Sequence, residues 1–235
     1  MKYKKKKDIV YDNFLKSLSD VRKLKPYILV SSLLFLSITV LGFLFPIFFE
    51  DNIIKIIEEL MKKTESLNTI ELMSFIIYNN ISNSFIGMLL GIFLTLPTLF
   101  VLVLNGYVLG FVASKSVETE GFLILGRLLP HGIFEIPAIF ISTAIGIKLG
   151  FLLIFNCIKK YTKNPIKNSY VLVPLSIITV IISFPIYLVI TLMNNELRKE
   201  FIKNLMNALK IFLLIIIPLL VIAGIIEGIL ISVIS

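Results

Sequence analysis

Long uncharged apolar runs alternate with amphipathic stretches along this chain. Tyr27–Phe49 runs 23 residues without a charge, and a helix needs about 20 apolar residues to cross the hydrocarbon core of a bilayer. Leu72–Ser114 is uncharged over 43 residues, too long for one straight span. Further apolar runs follow at Ile136–Ile147, Leu149–Ile158, Asn168–Asn195 and Ile211–Ile226. The pattern predicts an all-α, polytopic membrane bundle of about five or six membrane segments, with residues 1–235 as one integral membrane domain.

The amphipathic stretches have helical spacing. Val10, Phe14, Leu18 and Val21 recur at i, i+4, i+8 and i+11, which puts them on one face of a helix. Residues 1–25 therefore read as a basic helix lying in the interface before the first span. Residues 50–78 form a second, extramembrane amphipathic segment, with Ile53, Ile56, Ile57, Leu60 and Met61 as its apolar stripe. Asn194–Lys210 is a third, ahead of a last span over Ile211–Ile234.

Breakers interrupt the apolar runs. Pro97 is expected to kink or weaken its helix. Asn105-Gly106 is a dipeptide that ends helices readily. Pro130 lacks an N–H and biases Leu129 away from helical geometry, so a second break is expected across Pro130–Gly132, with Pro137 as a further kink. If residue 118 is the pivot of the Lys115–Gly121 loop, Asn105 and His131 lie at similar depth in antiparallel arms. Broken helices at that depth need protein or water to satisfy their backbone.

Charge then sets orientation. The net charge is +8 and hydrophobic residues make up 57% of the chain, against about 45–50% in soluble domains. Met1–Lys25 carries nine Lys/Arg against three Asp. Short basic flanks stay on the cytoplasmic side, so the N-terminus is expected inside a cell membrane and a nucleic-acid role is not. The first apolar run lies too far from the start for a cleaved signal and ends in Phe48-Phe49-Glu50 rather than in small residues, so it reads as a retained span. Lys159, Lys160, Lys163 and Lys167 form a second basic loop expected inside. Two inside ends need an even number of crossings between them, yet the simple count gives three. Either a crossing is hidden within Leu72–Ile158 or the Asn105–Glu135 region is re-entrant.

The chemistry-bearing residues are few. His131 is the only histidine and Cys157 the only cysteine, so no multi-Cys metal site can form. One His with scattered carboxylates is a poor zinc set, and neither metal nor cofactor is expected. His131 and Glu135 are i and i+4, sharing a helix face. Arg127 lies one turn upstream and Glu227 sits in the last span. Intramembrane ionisable groups are functional candidates by default. The candidate polar cluster is Asn105, Arg127, His131, Glu135 and Glu227, with Gly106, Pro130, Gly132 and Pro137 shaping the helix breaks. The same groups suit a buried network that fixes helix register, an ion or small-solute path, or an acid–base pair at His131 and Glu135. No nucleophile elbow, HExxH pair or phosphate loop is present, so no catalytic residue is assigned.

At these residues the chain resembles the stage II sporulation protein M family of integral membrane proteins. The likeness rests on Gly91 with Pro97-Thr98, on Asn105-Gly106 with Gly110, on Leu129-Pro130-His131-Gly132 with Glu135 and Pro137-Ala138, and on Gly146 with Gly150. Ala223–Gly228, with Glu227, resembles the family's closing span. The resemblance implies a multi-pass helical protein that localises partners rather than cutting anything itself. In spore formers the family member joins an engulfment complex with wall-degrading partners, and members also occur where no spore is made. The expected partners are the lipid bilayer, other membrane proteins or a second copy of the chain.

Overall fold

A computed structural model describes residues 2–93, 95–161, 188–189 and 191–234, without the side chains of 2–8, 127–129, 131, 154–161 and 234. Among the described residues the chain is helical, with no strand. The helices are α1 (Lys2–Arg22), α2 (Lys25–Leu44), α3 (Glu50–Thr64), α4 (Thr69–Leu90), α5 (Leu96–Glu120), α6 (Leu125–Tyr161), α7 (Asn195–Ile211) and α8 (Ile217–Ile234). A 3₁₀ turn over Phe122–Ile124 leads into α6, and a π turn over Phe212–Ile216 joins α7 to α8 without a break.

Four described segments are long and apolar enough to cross a membrane: Lys25–Leu44, Leu96–Glu120, Gly132–Leu153 and Asn195–Val233. That is fewer than the five or six expected. The apolar run at 168–187 lies outside the described residues. The helix α4 is not among the four because Asn79, Asn80 and Asn83 dilute its hydropathy. Apolar side chains face outward all along α2, where Leu29, Leu33, Leu36, Val40 and Leu44 are all exposed. A helix apolar on every side belongs in lipid or in a large core.

The long uncharged run divides in a place the sequence reading did not choose. It turns back at Gly91–Thr95, between α4 and α5. Pro97 stands in the first turn of α5, where a missing N–H costs nothing, and Thr95 takes a left-handed φ of 65°. Pro97 therefore starts a helix rather than kinking one.

Conversely, the two expected breaks are absent: α5 continues through Asn105-Gly106 and α6 continues through Pro130, Gly132 and Pro137. Asn105 supports its own helix, its Nδ2 donating to the Val101 carbonyl at 2.7 Å. Gly106 packs against Phe35 and Ile38 of α2. Its small size serves an approach between helices rather than a turn.

Residues 50–78 also divide. Asn68 caps α4, accepting from the Ile70 and Glu71 N–H groups, while Glu71 accepts from the Asn68 N–H. This reciprocal capping box fixes a helix start, so Leu72–Tyr78 belongs to α4 and only Glu50–Thr64 remains a separate amphipathic helix.

Close backbone approaches set the order of helices. On α2 and α5, Gly106 meets the Phe35 carbonyl and Gly110 meets the Thr39 carbonyl. Residue numbers rise together on the two, so they run parallel. The Tyr107 hydroxyl donates to the Phe45 carbonyl at 2.7 Å and accepts from the Phe48 N–H at 3.0 Å, pinning the chain as it leaves α2. At the same end Lys115 pairs with Glu50 at 2.7 Å. On α4 and α6, Gly91 meets the backbone of Gly146 and Gly150. The helix α6 runs antiparallel to α2, with Phe140 against Phe35 and Phe151 against Tyr27. Gly224 and Gly228 of α8 pack on Ile77 and Met73 of α4, another antiparallel pair. The largest buried apolar cluster joins Leu24, Met88, Ile145, Leu149, Phe212 and Leu220, and α7 lies along α1.

Candidate polar cavity between three helices

Three helices each turn one polar stripe toward a common cavity of about 40 Å³. The helix α4 contributes Asn80, Asn83, Ser84 and Gly87; α5 contributes Thr98, Val101, Leu102 and Asn105; α6 contributes Glu135, Ile139, Ser142 and Thr143. The first two stripes are spaced i, i+3, i+4, i+7 and the third i, i+4, i+7, i+8. Such spacing puts four residues on one helix face over two turns. A site of this size holds roughly two or three waters, each needing about 10–15 Å³.

Its polar groups are unevenly served. Thr98, 1% exposed, donates to the Gly87 carbonyl at 2.6 Å. Ser84, Ser142 and Thr143 are 6%, 3% and 5% exposed. Among the described residues their hydroxyls have no hydrogen-bond partner. Elsewhere in the chain the mid-helix hydroxyls of Ser31 and Thr39 bond the carbonyl one turn back, at 2.9 Å. Glu135 is half-buried at the cavity. No Lys or Arg makes an ion pair with it among the described residues. Glu227 of α8 lies within electrostatic reach of Glu135. No three of His, Cys, Asp and Glu converge among the described residues.

The structure thus brings together part of the cluster expected from sequence. Asn105 and Glu135 share the cavity, and Glu227 is an electrostatic neighbour of Glu135. The side chains of Arg127 and His131 lie outside the described ones. Asn105 faces Glu135, Ile139 and Ser142, which sit deeper along α6 than position 131. The turnaround lies at Gly121–Phe122, where Gly121 takes a φ of 80°, a few residues past 118. Each step of the pivot moves the partner of Asn105 by two.

Gly106 belongs to the α2 contact, Pro130 is half-buried and Pro137 exposed on α6, and a Cβ on Gly132 would meet only the Ile136 Cδ1 at ordinary contact, 3.5 Å. Sequence reasoning overlooked Ser84, Thr98, Ser142 and Thr143. Their shared helical periodicity with Asn80, Asn105 and Glu135 was the available signal.

Residues 31–230 match the family described as stage II sporulation protein M. The chain belongs to that family. With its apolar helices, this makes it a membrane protein. The matched span holds every residue of the cavity. A similar sequence is Uncharacterized protein MJ0706 of Methanocaldococcus jannaschii, 33% identical over 181 residues, which covers 70% of this chain and 80% of that protein. Uncharacterized protein MJ0793 of the same organism is 34% identical over 122 residues, covering 49% of this chain and 68% of that one. No solved structure matches.

Proposed function

We propose that this stage II sporulation protein M family member is a multi-pass scaffold of the cell membrane, a fixed bundle that localises other membrane proteins. The observation that carries this reading is the contact of backbone on backbone at Gly42, Gly91, Gly110 and Gly146. Small residues at helix contacts give close, well-packed association in lipid. Seams of this kind resist the rocking of one bundle on another by which transporters expose a site to either side. A cavity of about 40 Å³ is also too small for an organic solute.

The orientation follows from charge. The helix α6 returns toward the end where α1 lies, so its last residues, with positions 159 and 160, fall with the basic N-terminus, both on the cytoplasmic side. With the long run split at Gly91–Thr95, counting the more polar α4 as a pass beside α2, α5 and α6 gives the even number that this needs. The exposed apolar side chains Val10, Phe14, Leu18 of α1 and Ile56, Leu60, Met61 of α3 then rest on the two lipid interfaces.

A second reading, an ion path, draws on the cavity's carboxylate. Reconstitution of the purified chain in proteoliposomes separates the two. The scaffold reading expects no flux of ions or small solutes, together with migration of the chain in a larger, defined assembly when extracted mildly from native membranes. Flux carried by the purified chain alone overturns it.

A further inference from the structure

Among the described residues, three of the four buried hydroxyls at the cavity lack the bond to backbone that other mid-helix hydroxyls make. Ser31, Ser37 and Thr39 bond backwards to their own helix. Ser84, Ser142 and Thr143 do not, although each is more than nine-tenths buried. A buried polar group without a partner is costly, so three on one cavity call for an occupant. Asn105 commits its Nδ2 to the Val101 carbonyl, which leaves its Oδ1 as the atom it can offer. The lining is therefore rich in oxygen: hydroxyls, an amide oxygen and the carboxylate of Glu135.

Water alone would serve the hydroxyls but not the charge. Glu135 has no Lys or Arg within ion-pair distance among the described residues, and the nearby Glu227 adds negative potential. An uncompensated carboxylate in a poorly solvated setting either takes up a proton or holds a cation, and a proton would leave the hydroxyls unserved. A cation answers both needs. Hard oxygen ligands select hard cations. A divalent ion of the calcium type asks for about 6–8 oxygens, more than so small a cavity offers, and the absence of three converging acids or imidazoles among the described residues points the same way. The volume suits one small ion with a water or two.

We propose that the cavity between α4, α5 and α6 is a sodium-sized monovalent cation site. The Glu135 carboxylate is the charged ligand, and Ser84, Ser142, Thr143 and the Asn105 Oδ1 are the neutral ones. Since its ligands come from three helices, the ion ties α4, α5 and α6 together. The site stands independently of the scaffold reading, because a resident ion fits a static bundle and a conducting one equally.

The test uses the full chain in nanodiscs at one pH and constant ionic strength, with sodium, potassium or choline chloride. Sodium is expected to raise the unfolding temperature saturably, potassium weakly and choline not at all. Radioactive sodium should bind at one ion per chain. Glu135→Gln should abolish both effects. Should that variant fail to fold, Thr143→Val and Ser84→Ala keep the carboxylate and are expected to weaken sodium binding roughly tenfold, leaving the unfolding temperature in choline close to that of the parent. Equal unfolding temperatures in all three salts overturn the proposal, as does sodium binding that persists in Glu135→Gln. Selective protection with weakened binding in the hydroxyl variants supports it.

Discussion

The contact of α2 with α5 and the cavity among α4, α5 and α6 are built from the same small and polar residue types, with opposite results. At the first, glycine removes the side chain altogether, backbones touch, and the Thr39 hydroxyl at the crossing is satisfied within its own helix. At the second, hydroxyls and amides on three helices face one another across a gap, and three of them are left unserved. Helix α5 takes part in both, with Gly106 and Gly110 on one face and Thr98 and Asn105 on another. Lipid tails give helices little hydrophobic reason to associate, so the glycine contact supplies packing while the polar face supplies selectivity. A membrane bundle therefore separates adhesion from chemistry by helix face rather than by residue type.

Substitutions can break that contrast. The largest effect is expected for Gly110→Leu, whose side chain would enter the Thr39 carbonyl and the Phe43 N–H. Overpacking usually costs about 1–3 kcal/mol and sometimes more, and here the obstacle is backbone. Loss of folded protein in a thermal or denaturant titration is the expected readout, and near-parental stability would show that the helices do not meet this way. Gly146→Ala comes next. Its Cβ would lie 3.0 Å from the Met88 carbonyl and 3.1 Å from Thr98, for an expected loss of about 1–2 kcal/mol by the same titration.

Thr98→Val keeps the shape but deletes the bond to the Gly87 carbonyl at 2.6 Å. In membrane helices such bonds average about 0.6 kcal/mol, so a loss of about 0.5–1 kcal/mol is expected, and a gain in stability would mean that α4 and α5 are not held there. Gly132→Ala should do least, within about 0.5 kcal/mol of the parent. Its Cβ has room, and alanine favours the helix that runs through. A severe loss would restore the idea that Gly132 is a helix break.

Much of the architecture was legible because lipid imposes simple rules. The existence of α2 and its start, though not its end at Leu44, and the closing helix followed from period and charge. The errors came where one residue type serves two purposes. Asn105-Gly106 has the form of a turn, but within an apolar helix the amide bonds backward and the glycine admits α2. Pro97 has the form of a kink but opens a helix, because Gly91 had already ended the one before. The capping pair Asn68 and Glu71 was a clear start signal overlooked inside a stretch read for its apolar stripe. At the site, Asn105 and Glu135 stood out as costly groups in apolar sequence. Ser142 and Thr143 did not, since serine and threonine ordinarily disappear into their own helix backbone.

The π turn at Phe212–Ile216 carries a geometric consequence for the last helix. There the Ile217 N–H reaches back to the Phe212 carbonyl, one residue further than an α-helix allows. The turn thus spends an extra residue, and each residue of an α-helix is worth about 100° of rotation. Removing it would spin α8 by that amount relative to α7. Glu227 would leave the neighbourhood of Glu135 and its carboxylate would sweep toward a different sector of the bundle, while α7 kept its place along α1. The turn acts as a phase shifter: it lets a charged amphipathic helix and an apolar one share a single rod while each presents its own face.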